Sequence, residues 1–254
     1  MDPVRAHERR PQLIPLPEPT PRLMFLIPAL DEEGRVGGIV RELQGRFPDA
    51  QVVVVDDGST DGTADEARAA GAHLLSHPFH MGYGAALQTG YKYALRQGVA
   101  LLVQMDGDGQ HPPAEVDLLL ERIEEGDLDL VVGSRFRGRG RYRMPLLRKL
   151  GSGLFSVITS RVVGRPVTDP TSGFQAMNAR TLRFYQQDFY PFDYPDADIL
   201  IRADYSGLRF DEVGVEMRAG PPGKSMHSGL RPLYYVYKAL LSISLTWITG
   251  RRSR

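Results

Sequence analysis

In LLVQMDGDGQHPP, residues 101–113, an apolar run ends in two carboxylates, Asp106 and Asp108, one residue apart and flanked by Gly107 and Gly109. Two negative charges at the end of a buried strand repel each other and lose hydration unless a cation or several donors offset them. A hard divalent ion such as Mg2+ or Mn2+ does so, because it takes oxygen ligands in octahedral geometry and shares them with phosphate oxygens. The glycines allow close approach of ligand or backbone, and the Gln110 amide adds an oxygen. An isolated Asp-x-Asp is also an ordinary solvated turn; its place directly after LLVQM favours the cation site.

A second carboxylate pair, Asp56 and Asp57, closes the valine run of VVVVDDGSTDGT. Thr60 or Asp61 suits the capping of a following helix. Capping does not account for adjacent carboxylates after four valines. One of them can accept hydrogen bonds from a base or ribose while the other steadies the loop. Further on, Arg135 ends GSR, and PLLRKLGS sets Arg148 and Ser152 four residues apart, on one side of a helix. A guanidinium fork and a hydroxyl suit a phosphate monoester. The stretch RFRGRGRYRMPLLRK also reads as a solvated basic loop, and as a contact for anionic lipid headgroups. In VTDPTSGFQAM, a turn at Asp169-Pro170 precedes small Ser172 and Gly173, which either bring backbone amides close to a ligand or simply make the turn.

These groups need a frame. Apolar runs of strand length at 23–30, 51–57, 72–77, 100–106 and 129–136 alternate with helical spacing near 32–46, 60–71, 82–97 and 113–125. Continuous apolarity suits strands covered on both faces, so the pattern predicts a mainly parallel α/β sheet. Ligands of such sheets sit beyond the carboxyl ends of the strands. PALDEE, DDGSTDGT, DGDGQ and GSR each follow an apolar run directly and converge on that edge.

The 254 residues, 42% of them hydrophobic, furnish the core of one folded unit. Lys+Arg and Asp+Glu balance at 31 each, so net charge points to no nucleic-acid partner. There is no cysteine, which excludes disulfides, thiolate metal sites and cysteine nucleophiles. Six prolines between Pro3 and Pro21 mark residues 1–22 as a tail, and the lack of an apolar stretch before residue 23 predicts a cytoplasmic catalytic body. Near the end, the 18 residues from Pro232 to Thr249 would reach about 27 Å as a helix, against a hydrocarbon core of roughly 30 Å. Lys238 interrupts them, while Tyr234, Tyr235, Tyr237 and Trp247 suit a membrane interface. The expectation is an amphipathic helix, within 227–254, lying on the cytoplasmic membrane surface or docking a small membrane-protein subunit, in preference to packing in the soluble core or spanning the bilayer.

Taken in order and spacing, PALDEE, VVVVDDGSTDGT, MDGDGQHPP, GSRF, DPTSGF and GKS resemble the family 2 glycosyltransferases, in particular those similar to dolichol-phosphate mannosyltransferase and bacterial polyprenyl-phosphate glycosyltransferases. The resemblance covers about residues 23–245 and implies a GT-A fold, with a catalytic domain at 23–226. It implies inverting transfer from a nucleotide-activated sugar, a UDP- or GDP-sugar, to a polyprenyl phosphate, with Mg2+ or Mn2+ at the Asp-x-Asp. By carry-over, Pro28, Leu30, Glu32 and Asp57 line the nucleotide pocket. Asp106 lies near the ribose or sugar and the metal, and Asp108 and Gln110 are direct ligands. Arg135, Arg148 and Ser152 hold the acceptor phosphate, and Arg218 and Lys224 belong to a loop over the donor phosphates, although the Gly and Pro content of MRAGPPGKSMHSG also suits an inert surface loop.

A phosphate acceptor, with a second pKa of about 6, arrives largely ionised and needs no strong base, which makes Asp169 an organiser. The rival is a family 2 transferase acting on a hydroxyl acceptor with Asp169 as base; an inactive nucleotide-sugar or membrane-binding module is a third reading. One departure stands out: relatives carry a PEAE-like segment where this chain has PDAD, with Asp196 and Asp198 each a methylene shorter, which bears on the donor sugar; either Asp also suits a simple helix cap.

Overall fold

The computed structural model describes residues 22–137, 146–193, 195, 197–218, 241 and 243, with the backbone alone for 146–150. Among them, seven strands, β1 (Leu23–Ala29), β2 (Gln51–Asp56), β3 (His73–Ser76), β4 (Leu101–Gln104), β5 (Leu130–Ser134), β6 (Gln175–Asn178) and β7 (Phe210–Gly214), form one sheet in the order β3-β2-β1-β4-β6-β5-β7. The helices are α1 (Val36–Arg46), α2 (Thr63–Ala69), α3 (Tyr83–Arg96), α4 (Val116–Glu125), α5 (Leu146–Val163), α6 (Ala179–Tyr185) and α7 (Ala197–Tyr205).

The apolar strands serve both faces of the sheet, as their composition predicts. Alternate residues of β1 enter different cores: Met24 and Leu26 join the cluster that holds Leu87 and Tyr91 of α3 and Leu182 of α6. Phe25 and Ile27 join the one that holds Val40 and Leu43 of α1 and Leu119 of α4. A third, smaller cluster unites Phe155 of α5 with Ala197 and Ile201 of α7 and Ile243.

Strands β3, β2, β1 and β4 run parallel, as do β5 and β7. Strand β6 is antiparallel to both β4 and β5, between which it lies. This reversal places the start of β6, and with it the DPTSGF segment, on the same edge as the carboxyl ends of the other strands. The sheet is therefore mostly parallel with helices on both faces, and two strands longer than the five expected from apolar runs. QAMN is too short to signal a strand, and FDEVG carries two carboxylates. Helix α1 starts at Val36 rather than near residue 32, because residues 31–35 are taken up in a loop described below.

Among the described residues no helix is long and apolar enough to cross a membrane. Nearly all of the expected N-terminal tail, and the C-terminal segment 227–254 apart from residues 241 and 243, lie outside the described residues.

Candidate active site

The loops after β1 and β2 interlock. Asp31 has a left-handed φ of 52°, which short polar side chains tolerate. Its N–H donates to Ser59 Oγ at 3.0 Å, and its Oδ1 accepts from the Thr60 N–H at 2.9 Å. The Glu32 N–H donates to Thr63 Oγ1 at 2.7 Å and the Glu33 N–H to Asp61 Oδ2 at 3.2 Å. Glu66 of α2 accepts from the N–H groups of Gly34 and Gly37, at the start of α1. Glu32 pairs with Arg35 at 2.5 Å, Pro28 is buried in β1, and Leu30 is exposed at the loop's mouth.

Both members of the Asp56–Asp57 pair brace this region. Asp56 accepts from the Ser59 N–H at 3.1 Å. Asp57 is buried and accepts four hydrogen bonds: His77 Nδ1 at 2.7 Å and the Met81 N–H at 2.9 Å on Oδ1, His80 Nδ1 at 2.7 Å and the Gly82 N–H at 2.9 Å on Oδ2. Burial pushes its carboxyl up, but the bonds from His77, Met81, Gly82 and His80 outweigh this and hold it below the ordinary value. Asp57, expected to line the nucleotide pocket, thus has both carboxylate oxygens engaged by this chain's own donors.

Asp106, just beyond β4, is partly exposed and is held on two sides. Tyr83, the first residue of α3, donates its hydroxyl to Asp106 Oδ1 at 2.7 Å. Desolvation, then the charge of Asp106, keeps this phenol well above its ordinary pKa and hence a donor. The buried His111 accepts from the Asp106 N–H at its Nδ1, 3.0 Å away, and stacks on Phe174 with ring centroids 5.0 Å apart. That contact assigns the His111 proton to Nε2, which lies 3.7 Å from Asp106 Oδ2. Gly173 closes over the pair: a Cβ there would lie 2.9 Å from Tyr83 Oη and 3.2 Å from Asp106 Oδ1.

Gln110 donates its backbone N–H to Asp108 Oδ1 at 2.9 Å and its side-chain amide to Oδ2. In this structure it grips Asp108 instead of standing beside it as a third ligand. The Gln110 carbonyl accepts from the Arg218 N–H at 2.9 Å, so the chain after β7 is tied to the Asp-x-Asp loop. Among the described residues no three His, Asp or Glu side chains gather into a cation site. Two partly exposed carboxylates on one loop nevertheless fit a hard divalent ion that keeps water and phosphate oxygens in its remaining positions.

On the other side of Gly173, Arg135 and the fully buried Asp169 form a two-pronged ion pair, with Arg135 Nη2 also 3.1 Å from Thr171 Oγ1. Asp169 and Thr168 are anchored in turn by Glu212 of β7, a buried carboxylate that accepts both their N–H groups and the Thr168 hydroxyl. An Asp169 so enclosed presents no surface to an acceptor hydroxyl, and Arg135 spends part of its fork on Asp169. Ser152 of α5 is buried, and its hydroxyl has no hydrogen-bond partner among the described residues. The side chains of Arg148, Asp196 and Lys224 lie outside the described residues; Asp198 is buried in α7.

Tyr83, His111 and Glu212 were not singled out from the sequence. The signals were there: a tyrosine between Gly82 and Gly84 at a helix start, a histidine inside DGDGQHPP, and another adjacent carboxylate pair in FDEVG.

The chain matches the model of glycosyl transferase family 2 over residues 24–185. It is 31% identical, over 247 residues, to polyprenol monophosphomannose synthase of Mycolicibacterium smegmatis, a match that covers 93% of this chain and 91% of the relative. It is 33% identical to undecaprenyl-phosphate mannosyltransferase of Micrococcus luteus, covering 82% and 88%. Among solved structures it resembles glucosyl-3-phosphoglycerate synthase from Mycobacterium tuberculosis, crystallised with Mn2+, uridine diphosphate and glucosyl-3-phosphoglycerate. The TM-score is 0.65 at 22% identity, over 90% of this chain and 79% of that one, which is a likeness of fold.

Proposed function

This chain belongs to glycosyl transferase family 2, and on that basis we propose that it moves a sugar from a UDP- or GDP-sugar to a polyprenyl phosphate, with inversion, giving a polyprenyl-monophosphate sugar. The observation that carries the reading is the convergence of two charged constellations on one loop. Residues 169–173 run from the Arg135–Asp169 pair at the end of β5 to Gly173 against Asp106 at the end of β4. A donor diphosphate beside Asp106 and Asp108 and a phosphate beside the basic side of the loop would meet there. The two relatives named above are, by their names, a synthase of polyprenol monophosphomannose and a mannosyltransferase of undecaprenyl phosphate.

In this reading Asp106 and Asp108 hold Mg2+ or Mn2+, with Gln110 fixing the rotamer of Asp108. The ion would supply a Lewis acid for the departing nucleotide's charge. Pro28, Leu30 and Glu32 border the nucleotide, and Asp57 keeps the pocket's wall rigid. Arg218, whose N–H is tied to the Gln110 carbonyl, and Lys224 serve the donor phosphates. Arg135, Arg148 and Ser152 serve the acceptor phosphate, the Ser152 hydroxyl having no hydrogen-bond partner among the described residues. The ionised acceptor attacks without a protein base, in keeping with the enclosure of Asp169. The enzyme works at the cytoplasmic face of a membrane, where its acceptor resides.

The test is a matrix of UDP- and GDP-sugars against undecaprenyl and dolichyl phosphate and the corresponding unphosphorylated polyprenols, with lipid products identified by mass spectrometry. Product from a lipid phosphate and none from the free alcohol is expected. Equal use of alcohol and phosphate would instead establish the hydroxyl-acceptor chemistry.

A further inference from the structure

We propose that Tyr83 is a positioning residue for the Asp-x-Asp centre: its hydroxyl, 2.7 Å from Asp106 Oδ1, holds Asp106 in a rotamer whose Oδ2, 3.7 Å from His111 Nε2, is left to a divalent ion. The inference rests on the metal role proposed for Asp106 and adds the group that prepares that carboxylate.

Tyr83 does not act alone. Behind it runs a string of donors in one direction: the Tyr190 hydroxyl stands 3.2 Å from that of Tyr91, Tyr91 donates to Gln104 Oε1, and Gln104 Nε2 donates to Tyr83 Oη at 3.4 Å. Tyr91, Tyr190 and Gln104 are buried, so each group's orientation is dictated by its neighbour, and the last donor points at Asp106. Two glycines permit the arrangement. A Cβ at Gly84 would lie 1.9 Å from the Pro191 carbonyl oxygen, so only a glycine lets the first turn of α3 settle against segment 191–193. Gly173 covers the other side of the Tyr83–Asp106 bond.

The physical effect is preorganisation. A carboxylate that is only partly buried samples several rotamers, and capture of an ion by one oxygen costs the entropy of freezing the others. A hydrogen bond to the opposite oxygen settles that cost during folding. Groups that orient a ligating carboxylate in this way typically change metal affinity by about 10–100-fold when removed.

Tyr83→Phe keeps the ring and its packing and removes the donor. The experiment is a titration of the full-length protein with Mn2+ alone, followed by the electron paramagnetic resonance signal of free Mn2+. Wild type, Tyr83→Phe, Gln104→Met and Asp108→Asn are compared, with thermal midpoints recorded alongside. Tyr83→Phe should bind Mn2+ about 10–100-fold more weakly. Gln104→Met, which cuts the string one link behind, should shift affinity in the same direction by less. Wild-type affinity in Tyr83→Phe, with binding lost in Asp108→Asn, overturns the inference and leaves the metal reading intact. Failure of wild type to bind Mn2+, or indifference of Asp108→Asn, overturns both. Should Tyr83→Phe not fold, wild-type affinity in Gln104→Met overturns the inference.

Discussion

The guanidinium of Arg135 and the buried carboxylate of Asp169 meet fork to fork, Nε to Oδ2 and Nη2 to Oδ1, both at 2.7 Å, and the Arg135 N–H adds a third bond at 3.0 Å. The pair fastens the loop before β6 to the end of β5. It gives Asp169 an architectural task that a general base, which needs an accessible lone pair, does not share.

Removing one partner should therefore unfold the protein more readily. Asp169→Asn or Arg135→Ala leaves the other charge uncompensated, at a cost of about 3–5 kcal/mol in urea unfolding. The double replacement Arg135→Met/Asp169→Leu should recover part of that loss. Wild-type stability in Asp169→Asn together with abolished turnover would instead mark Asp169 as the base.

Asp108→Asn should remove most sugar transfer, because a cation site loses a carboxylate and the diphosphate its charge compensation. Wild-type activity should vanish in chelator and return with Mg2+ or Mn2+. Full activity in chelator would show that no divalent ion takes part.

Gly173→Ala is expected to disturb the site more than the fold. Its methyl would sit 2.9 Å from Tyr83 Oη and 3.2 Å from Asp106 Oδ1, a local overpacking worth about 1–3 kcal/mol. If that strain is relieved by displacing Asp106, turnover falls about 5- to 150-fold. Steady-state kinetics beside a thermal melt would read both, and unchanged turnover would mean the Tyr83–Asp106 contact is dispensable.

Acid should destabilise the fold through three carboxylates held below their ordinary value. For Asp57, Asp129 and Asp211 burial acts upward but is outweighed, by His77 and the Met81 and Gly82 N–H groups, by the Arg209 N–H and Asn178, and by Arg137, the Glu212 N–H and Arg122 respectively. A carboxyl lowered in the folded state stabilises fully above its unfolded pKa, about 3.9, and loses that contribution as pH falls through the folded value. Urea midpoints should thus drop steeply below about pH 4, with a shallower drop in Asp57→Asn. An unchanged slope in that variant would show that the four bonds to Asp57 carry no net stability.

Much of the first half of the sheet was legible because a strand covered on both faces has to be apolar throughout, and its polar end is then conspicuous. Asp56, Asp57, Asp106 and Asp108 all announced themselves in that way. What stayed hidden is how such residues satisfy one another at a distance. His77 and His80 reach Asp57 from 20 and 23 positions downstream, and Asp169 lies 34 residues beyond Arg135. Residue type marked both Arg135 and Asp169 as functional, but pairing is a property of the folded edge. Tyr83 is the clearest omission: its chemistry depends on a partner 23 residues away, and a tyrosine at a helix start draws no notice by itself. Strands β6 and β7 escaped because their pairing within the sheet, rather than long apolar runs, makes them strands.

The reversed strand β6 also sets a schedule for synthesis. Strands β1 to β4 can assemble as a four-stranded parallel block once residue 104 has left the ribosome, since each pairs within residues 23–104. Strand β5 has no such recourse. Both of its neighbours, β6 at 175–178 and β7 at 210–214, are translated later, so LVVGS waits some 40 residues for its first partner while the edge of β4 stays open. During that interval the nascent chain displays two apolar strands with unmet backbone groups, the kind of surface that chaperones bind and that aggregates when they do not. The pairing that gathers the candidate site residues on one edge is thus also the step that makes the unfinished chain most dependent on its handlers.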